Sequence, residues 1–331
     1  MHIDAALEFA LNRYGFRNPI IENVNSGSNK VYRIRSDRRN YYLRISDKEY
    51  DYILAEIDWI NYLAGSVRTP VLVKSNAGNT IETYSEGGVT VIICVFYEMA
   101  GALWDKNDAL LWNETVFYNW GHTMGTMHRL TKTYRPDADG YWRPLFQNCL
   151  VRDDYYKDIP AVYDKIIRIK DEIRALPVDG DSYGLIHCDL DQMNILIDGD
   201  HIGVLDFDDC KYGWFALDIG IALYHALWWG LPDDASARHA FALKIIKHFL
   251  RGYNDKNRLS EFWYKKILLF MQYRQIDALS WHLNYFKPAN YNVVVYNDLF
   301  RVYYDFSQQI KYIENDIFYD SCAINENDFV I

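Results

Sequence analysis

The sequence predicts an α+β protein of two lobes: a small N-terminal antiparallel-sheet lobe with one helix, then a larger, mostly helical C-terminal lobe. Three observations predict it. Up to Tyr97 the chain is dominated by short runs of branched and aromatic residues broken by turn formers. Beyond Gly101 apolar residues recur at helical spacing. No linker or internal repeat divides the 331 residues, so the composition shift at 97–101 sets the boundary, with 1–99 in the first lobe and 100–331 in the second.

Met1 to Tyr14 reads as an amphipathic helix carrying Asp4 and Glu8. Val31 to Ile34 and Tyr41 to Ile45 read as antiparallel strands around the polar turn Ser36 to Asn40. Ile53, Leu54, Ile57, Ile60 and Leu63 mark a helix over 52–64, stopped by Gly65 and Pro70. Strands follow over 81–84 and 89–96, with Gly87-Gly88 at their turn. Helices are expected over 112–130 and 159–176. The short apolar runs 185–186, 195–197 and 203–205 follow, the last two joined by Asp198-Gly199-Asp200. Helices return over 217–229, 234–254, 259–286 and 294–314.

Composition excludes several classes of function. Hydrophobic residues make up 50% of the chain, which excludes a disordered or low-complexity protein. The net charge of −10 opposes binding to phosphate backbones and anionic headgroups, so neither a nucleic-acid nor a membrane partner is expected. Cys94, Cys149, Cys188, Cys210 and Cys322 are odd in number and scattered, without a CxxC pair, as in a reducing compartment. The opening helix lacks the apolar core of a signal peptide, and the apolar run Ile219 to Leu231 is too short to cross a bilayer. A cytoplasmic location is expected.

The segment Gly184 to Gly220 carries the chemistry. It contains His187-Cys188-Asp189-Leu190-Asp191-Gln192-Met193-Asn194 and then Asp206-Phe207-Asp208-Asp209. Asp189, Asn194 and Asp206 fall in a loop and at strand ends, where side chains converge on ligands. Asn194 and Asp206 bracket a hairpin. Hard oxygen donors of this kind suit Mg²⁺, which takes one or two carboxylates and completes its shell with phosphate oxygens and water. Asp189 is then free to accept the proton of an attacking hydroxyl, and phosphoryl transfer asks little more than positioning and charge neutralisation. HxDxxxxN, a hairpin and DF are the kinase arrangement: one Asp orients the nucleophile, the Asn binds one metal ion, and the Asp before Phe binds the other.

The strings HCDLDQMN and DFDDCKYGWFALDIG resemble the aminoglycoside phosphotransferase and choline kinase-like family of small-molecule kinases, with its HGDLHxxN and DFxDxxxGxxxxDLA patterns. Asp189, Leu190, Asn194, Asp206, Phe207, Asp209, Gly213 and Asp218 fall on the pattern; Cys188 replaces a usual Gly, and Asp191 stands where His is frequent. The resemblance implies a protein-kinase-like fold, with 1–99 as the nucleotide-binding lobe and 100–331 as the catalytic and acceptor-binding lobe. It implies Asp189 as catalytic residue, Asn194 and Asp206 as Mg²⁺ ligands, and ATP as co-substrate.

By the same resemblance, Ser26, Gly27 and Ser28 lie in a loop over the phosphates; without it the loop is equally an ordinary hairpin turn. Arg44 occupies the strand position of the phosphate-binding Lys, with Glu56 on the next helix as its partner. Tyr97, Glu98 and Met99 resemble the hinge whose main chain reads adenine. GHTMGTMH, Gly121 to His128, resembles a long family helix in which His128 is structural. His187 braces the loop, and Asp218 supports it from the next helix.

Acceptors in this family are hydroxyls of small molecules: antibiotics such as aminoglycosides, or metabolites such as choline, homoserine and amino sugars. The acceptor region is expected to include Asp191, Asp208, Tyr212, Trp228, Asp277 and Trp281, an acidic and aromatic set suited to an ammonium group. The same aromatics at helical spacing also suit a core. The expected activity is ATP- and Mg-dependent O-phosphorylation of a small amine-bearing molecule. A Ser/Thr protein kinase of the bacterial stress-kinase type and a nucleotide-binding pseudokinase are the alternatives.

Overall fold

Strand pairing in the first lobe follows from its turns. In the computed structural model, residues 3–24, 29–136, 143–152, 160–230, 232 and 235–286 are described. β1 (Ile20–Asn23), β2 (Lys30–Ser36), β3 (Arg39–Ser46), β4 (Ile81–Glu86) and β5 (Val89–Tyr97) form one antiparallel sheet in the order β1-β2-β3-β5-β4. Asp37 and Arg38, between β2 and β3, have φ of 50° and 64°. Left-handed backbone at both residues is a two-residue hairpin turn whose twist matches the strands. The strands therefore extend into the segment the sequence assigns to a longer turn. Gly87 and Gly88 make the equivalent turn before β5, with φ of 59° and 82°.

Two helices explain why β5 reads VTVIICVFY rather than alternating with polar residues. Val91, Ile93 and Val95 join Ala6 and Ala10 of α1 (Ile3–Arg13), with Leu43 and Ile45 of β3, in one cluster. Ile92 and Cys94 join Ile53 and Ile57 of α2 (Tyr50–Leu63) in another. A strand covered on both faces must be apolar at both parities. The same period of two sends Arg44 to the α2 face, between Leu43 and Ile45 on the other.

The remaining elements are α3 (Glu114–Thr131), α4 (Pro160–Arg174), β6 (Tyr183–Ile186), β7 (Ile195–Asp198), β8 (His201–Val204), β9 (Lys211–Trp214), α5 (Phe215–Gly230), α6 (Ala235–Asn254) and α7 (Glu261–Phe286). Asn113 starts α3 by accepting from the Val116 N–H at 3.0 Å, two residues after the start the apolar pattern indicates. β9 pairs antiparallel with β6 and is missing from the sequence reading, because Lys211-Tyr212-Gly213-Trp214 lacks both alternation and branched residues. The expected helix over 294–314 lies outside the described residues.

The chain divides into two compact units, one from Met1–Ala102, Arg135–Arg143 and Gly203–Asp208, the other from Leu103–Tyr134, Pro144–Ile202 and Asp209–Ile331. In the first, Val204 N–H donates to the Arg68 carbonyl at 2.9 Å, tying the Gly203–Asp208 segment to the region after α2. No helix of the described residues is long and apolar enough to cross a membrane.

α3 and α6 cross backbone to backbone. A Cβ on Gly121 would stand 1.9 Å from the Phe249 carbonyl oxygen, and one on Gly252 would stand 1.9 Å from that of Tyr118. No side-chain rotation relieves a clash with main chain. Gly252→Ala is expected to destabilise the protein by about 1–3 kcal/mol or more, measured by urea denaturation; an unchanged midpoint would show that the helices separate at no cost.

Candidate active site

The loop between β6 and β7 is shaped by one carboxylate. Asp218, in the first turn of α5 and fully buried, accepts from the main-chain N–H of His187 at 3.0 Å and of Cys188 at 2.7 Å. Cys188 has φ of 66°, the left-handed region that costs a non-glycine residue about 1–2 kcal/mol. This is where the resembling family has Gly, and the paired N–H groups on Asp218 hold the turn despite the Cβ. Burial pushes the Cys188 thiol up to about 12, so it stays protonated and inert.

Asp218 is supported in turn. His128, also fully buried, lies 3.0 Å from it through Nε2 and 2.9 Å from the Tyr253 hydroxyl through Nδ1, and Asn257 donates to Tyr253 at 2.7 Å. Burial holds His128 below the usual imidazole range; burial pushes Asp218 up, but the His128 hydrogen bond, the neighbouring imidazoles and the Cys188 N–H together hold it below the usual carboxylate range. The pair is thus a neutral imidazole donating from Nε2 to a carboxylate, and Nδ1 accepts the Tyr253 O–H. His187, fully buried, accepts the Asp189 N–H on Nδ1 at 3.3 Å.

Downstream in the loop, Asn194 Nδ2 donates to the Asp189 carbonyl at 2.8 Å and to its carboxylate at 3.2 Å. Asp189 and Asn194, two of the predicted residues, are therefore in contact. Asp191 caps the 3-10 turn Gln192–Asn194 by accepting from the Met193 N–H at 2.7 Å, and burial followed by the Asp189 charge raises it to about 6. Asp191 is thus engaged in shaping its own loop.

A cation absent from the sequence reading faces this loop. Arg274 of α7 donates through Nη2 to Asp189, through Nη1 to Asp277 at 3.0 Å, and through Nε to His225 Nε2 at 2.8 Å. Burial raises Asp189 above the usual carboxylate range, with Arg274 opposing. Asp277 is thus the partner of an internal guanidinium. Trp228 lies beside Tyr224 at 5.9 Å between ring centroids, and Tyr212 contributes its carbonyl to the Tyr183 hydroxyl at 3.0 Å. The Trp281 side chain lies outside the described residues.

In the first unit, Arg44 and Glu56 form a bidentate pair at 2.8 and 2.9 Å, both buried. Glu56 meets Arg44 because it shares the inward face of α2 with Ile53, Ile57 and Ile60. The Glu56 charge keeps Arg44 ionised against the cost of burial. Ser26, Gly27 and Ser28 lie outside the described residues, but Asn29 beside them donates to Asp208 at 3.1 Å. Lys48 also bonds the Asp208 carboxylate, and Arg143 bonds its carbonyl. Asp208 is 7% exposed, and both side-chain contacts fall on its Oδ2. Asp206, exposed, has φ of 53° at the end of β8.

At the hinge, Tyr97 N–H donates to Val71 and Glu98 N–H to Asn40. The Glu98 side chain is held by Arg33 and Asn40, each at 2.6 Å. Of the three predicted hinge residues, Met99 alone has a main-chain N–H outside these bonds. Lys48, Arg143, His225 and Arg274 all escaped the sequence reading, as did the contact that Asn29 makes with Asp208. For Arg274 a signal existed, since it stands three residues before Asp277 on one helix face.

The profile of the phosphotransferase enzyme family matches residues 20–253 of the chain. The chain belongs to that family. An amicoumacin kinase of Bacillus subtilis (strain 168) is 32% identical over 284 residues, which span 83% of this chain and 83% of the relative. The solved amicoumacin kinase hAmiN, in complex with AMP-PNP, Ca²⁺ and Ami, superposes with a TM-score of 0.81 at 26% identity, covering 93% of this chain and 94% of its own. A microcompartment-associated aminopropanol kinase shares the fold, with a TM-score of 0.74 at 21% identity over 95% and 98% of the two chains. The chain has the two-lobed, protein-kinase-like α+β fold and is a small-molecule phosphotransferase with a hydroxyl acceptor.

Removing the cradle tests the site's architecture. Asp218→Asn is expected to cost about 1.5–3 kcal/mol or more at neutral pH, the worth of a hydrogen bond to a charged group. Because folding depresses the pKa of Asp218, its contribution is present above the unfolded value near 3.8 and is lost as pH falls through the folded value. The stability gap between wild type and variant should therefore narrow in acid, and a gap constant with pH would remove Asp218 as an ionised cradle.

Proposed function

We propose that the chain transfers the γ-phosphoryl group of ATP to a hydroxyl of a small, amine-bearing molecule, with Asp189 receiving the hydroxyl proton. The contact between Asp189 and Asn194 carries this reading. The amide's donors are spent on Asp189, which pins the carboxylate and leaves the amide oxygen to face a cation. That donor chemistry fits Mg²⁺, as does the exposed carboxylate of Asp206. Asn194 and Asp206 would hold the metal, which when bound neutralises phosphate charge. Arg44, fixed by Glu56, serves the phosphates, and the main chain of Met99 serves the base.

The acceptor class follows from charge and from kinship. Asp189 and Asp277 share one guanidinium and Asp191 lies 3.9 Å from His225, leaving an acidic surplus for an ammonium group. The relatives that phosphorylate amicoumacin support an antibiotic acceptor, so amicoumacin leads the panel to be tested, followed by aminoglycosides, aminopropanol, choline and homoserine. ADP release with amicoumacin in excess of the no-acceptor rate is the expected result; release equal to background across the panel would leave the small-molecule assignment without an acceptor.

Asp189→Asn is expected to lower turnover by roughly 10²–10⁴-fold, the contribution of a positioned base, with the thermal stabilisation by ATP and Mg²⁺ unchanged. Turnover near that of wild type would take Asp189 out of the reaction. Arg44→Ala is expected to weaken ATP binding, read by calorimetry; full affinity would assign the phosphates to another cation.

A further inference from the structure

Both carboxylate oxygens of Asp189 are occupied within the protein. Oδ2 accepts from Asn194, and Oδ1 accepts from Arg274. Each oxygen keeps a further lone pair, so the second contact acts by laying a guanidinium against the oxygen a hydroxyl would approach and by opposing proton uptake there. Arg274 is independently anchored by Asp277, one turn along α7, and by His225 on α5. Its side chain is 18% exposed. Release from Asp189 thus costs the guanidinium one partner of three and leaves it neutralised by Asp277, whereas Asn194 has no such second carboxylate. The pair has two satisfactory arrangements, and what fills the acceptor place decides between them.

We infer that Arg274 is a positioning residue that blocks Asp189 until an acceptor arrives, preventing the loss of ATP to water. The inference rests on the proposed kinase activity. In the side reaction a water oxygen bonds to the γ-phosphorus and the bond from that phosphorus to the β,γ-bridging oxygen breaks. The electron pair leaves with ADP, and the water proton passes to Asp189 and on to solvent. Water has to approach a carboxylate that Arg274 covers and makes less basic, and it brings no charge to offset a displaced guanidinium. An amine-bearing acceptor brings both a hydroxyl for Asp189 and a cation to offset the charge that Arg274 leaves there. Hence the block yields to the acceptor and not to the solvent.

The test measures ADP and phosphate release from ATP and Mg²⁺ with no acceptor present. Arg274→Gln is expected to raise this hydrolysis roughly tenfold, a fraction of the 10²–10⁴-fold attributed to a positioned base, and Asp189→Asn in the same chain is expected to abolish the rise. Arg274→Lys, which keeps the charge without the fork, is expected to fall between wild type and Gln and stands in if Arg274→Gln does not fold. A merely structural role for Arg274 would lower the rate or leave it unchanged, and either result overturns the inference. Wild-type protein gaining no thermal stability from ATP and Mg²⁺ would overturn the kinase reading together with this one. Stabilisation accompanied by flat hydrolysis in both Arg274 variants would overturn the block alone.

Discussion

The larger unit is organised around a buried negative charge. Asp218 has no contact with solvent, and it is held by two main-chain amides and an imidazole that donates while neutral. A carboxylate left in such a place without these donors would be driven to protonate. The demand therefore works in both directions: the charge forces the loop at His187 and Cys188 to present consecutive N–H groups, and the loop in turn makes the charge tolerable. Asp189 takes its place directly after that turn, so the position of the proposed base is set by a residue about thirty positions further along the chain.

A comparable constraint orders the smaller unit by purely local means. Strand parity puts Arg44 among apolar neighbours, where an unpaired guanidinium would be costly, and helical spacing brings Glu56 to it with both oxygens matched to the fork. The Cys94 thiol beside this pair is pushed up to about 11 by burial, which keeps it neutral there. Arg in place of the more usual Lys is thus accommodated by a bidentate partner rather than by a point contact.

Much of this was readable in advance, and the failures have a common origin. Helices α2, α3, α5, α6 and α7 announce themselves through apolar spacing, and the Arg44–Glu56 pair follows from one strand, one helix and two opposite charges. Asp189 and Asn194, singled out by their order in the chain, do meet within one loop. What escaped depends on long-range closure. Arg274 reaches Asp189 across 85 positions, and Asn29 reaches Asp208 across 179. Neither spacing leaves a periodic trace. The partners of Asp277, Asp208 and Asp191 within the protein were not legible either, because sequence shows charge without showing what meets it. β9 escaped because its pairing with β6, rather than its own composition, makes it a strand.

The glycine seam between α3 and α6 has a mechanical consequence. With main chain resting on main chain at Gly121 and Gly252, these helices cannot slide or rock past each other by changing rotamers, and they behave as one stiff beam. His128 and Tyr253, one from each helix, sit on that beam. α7 is held closely too, since a Cβ on Gly220 of α5 would stand 3.1 Å from the Ile267 carbonyl oxygen, so any rearrangement at Arg274 falls to its side chain rather than to the helix that carries it.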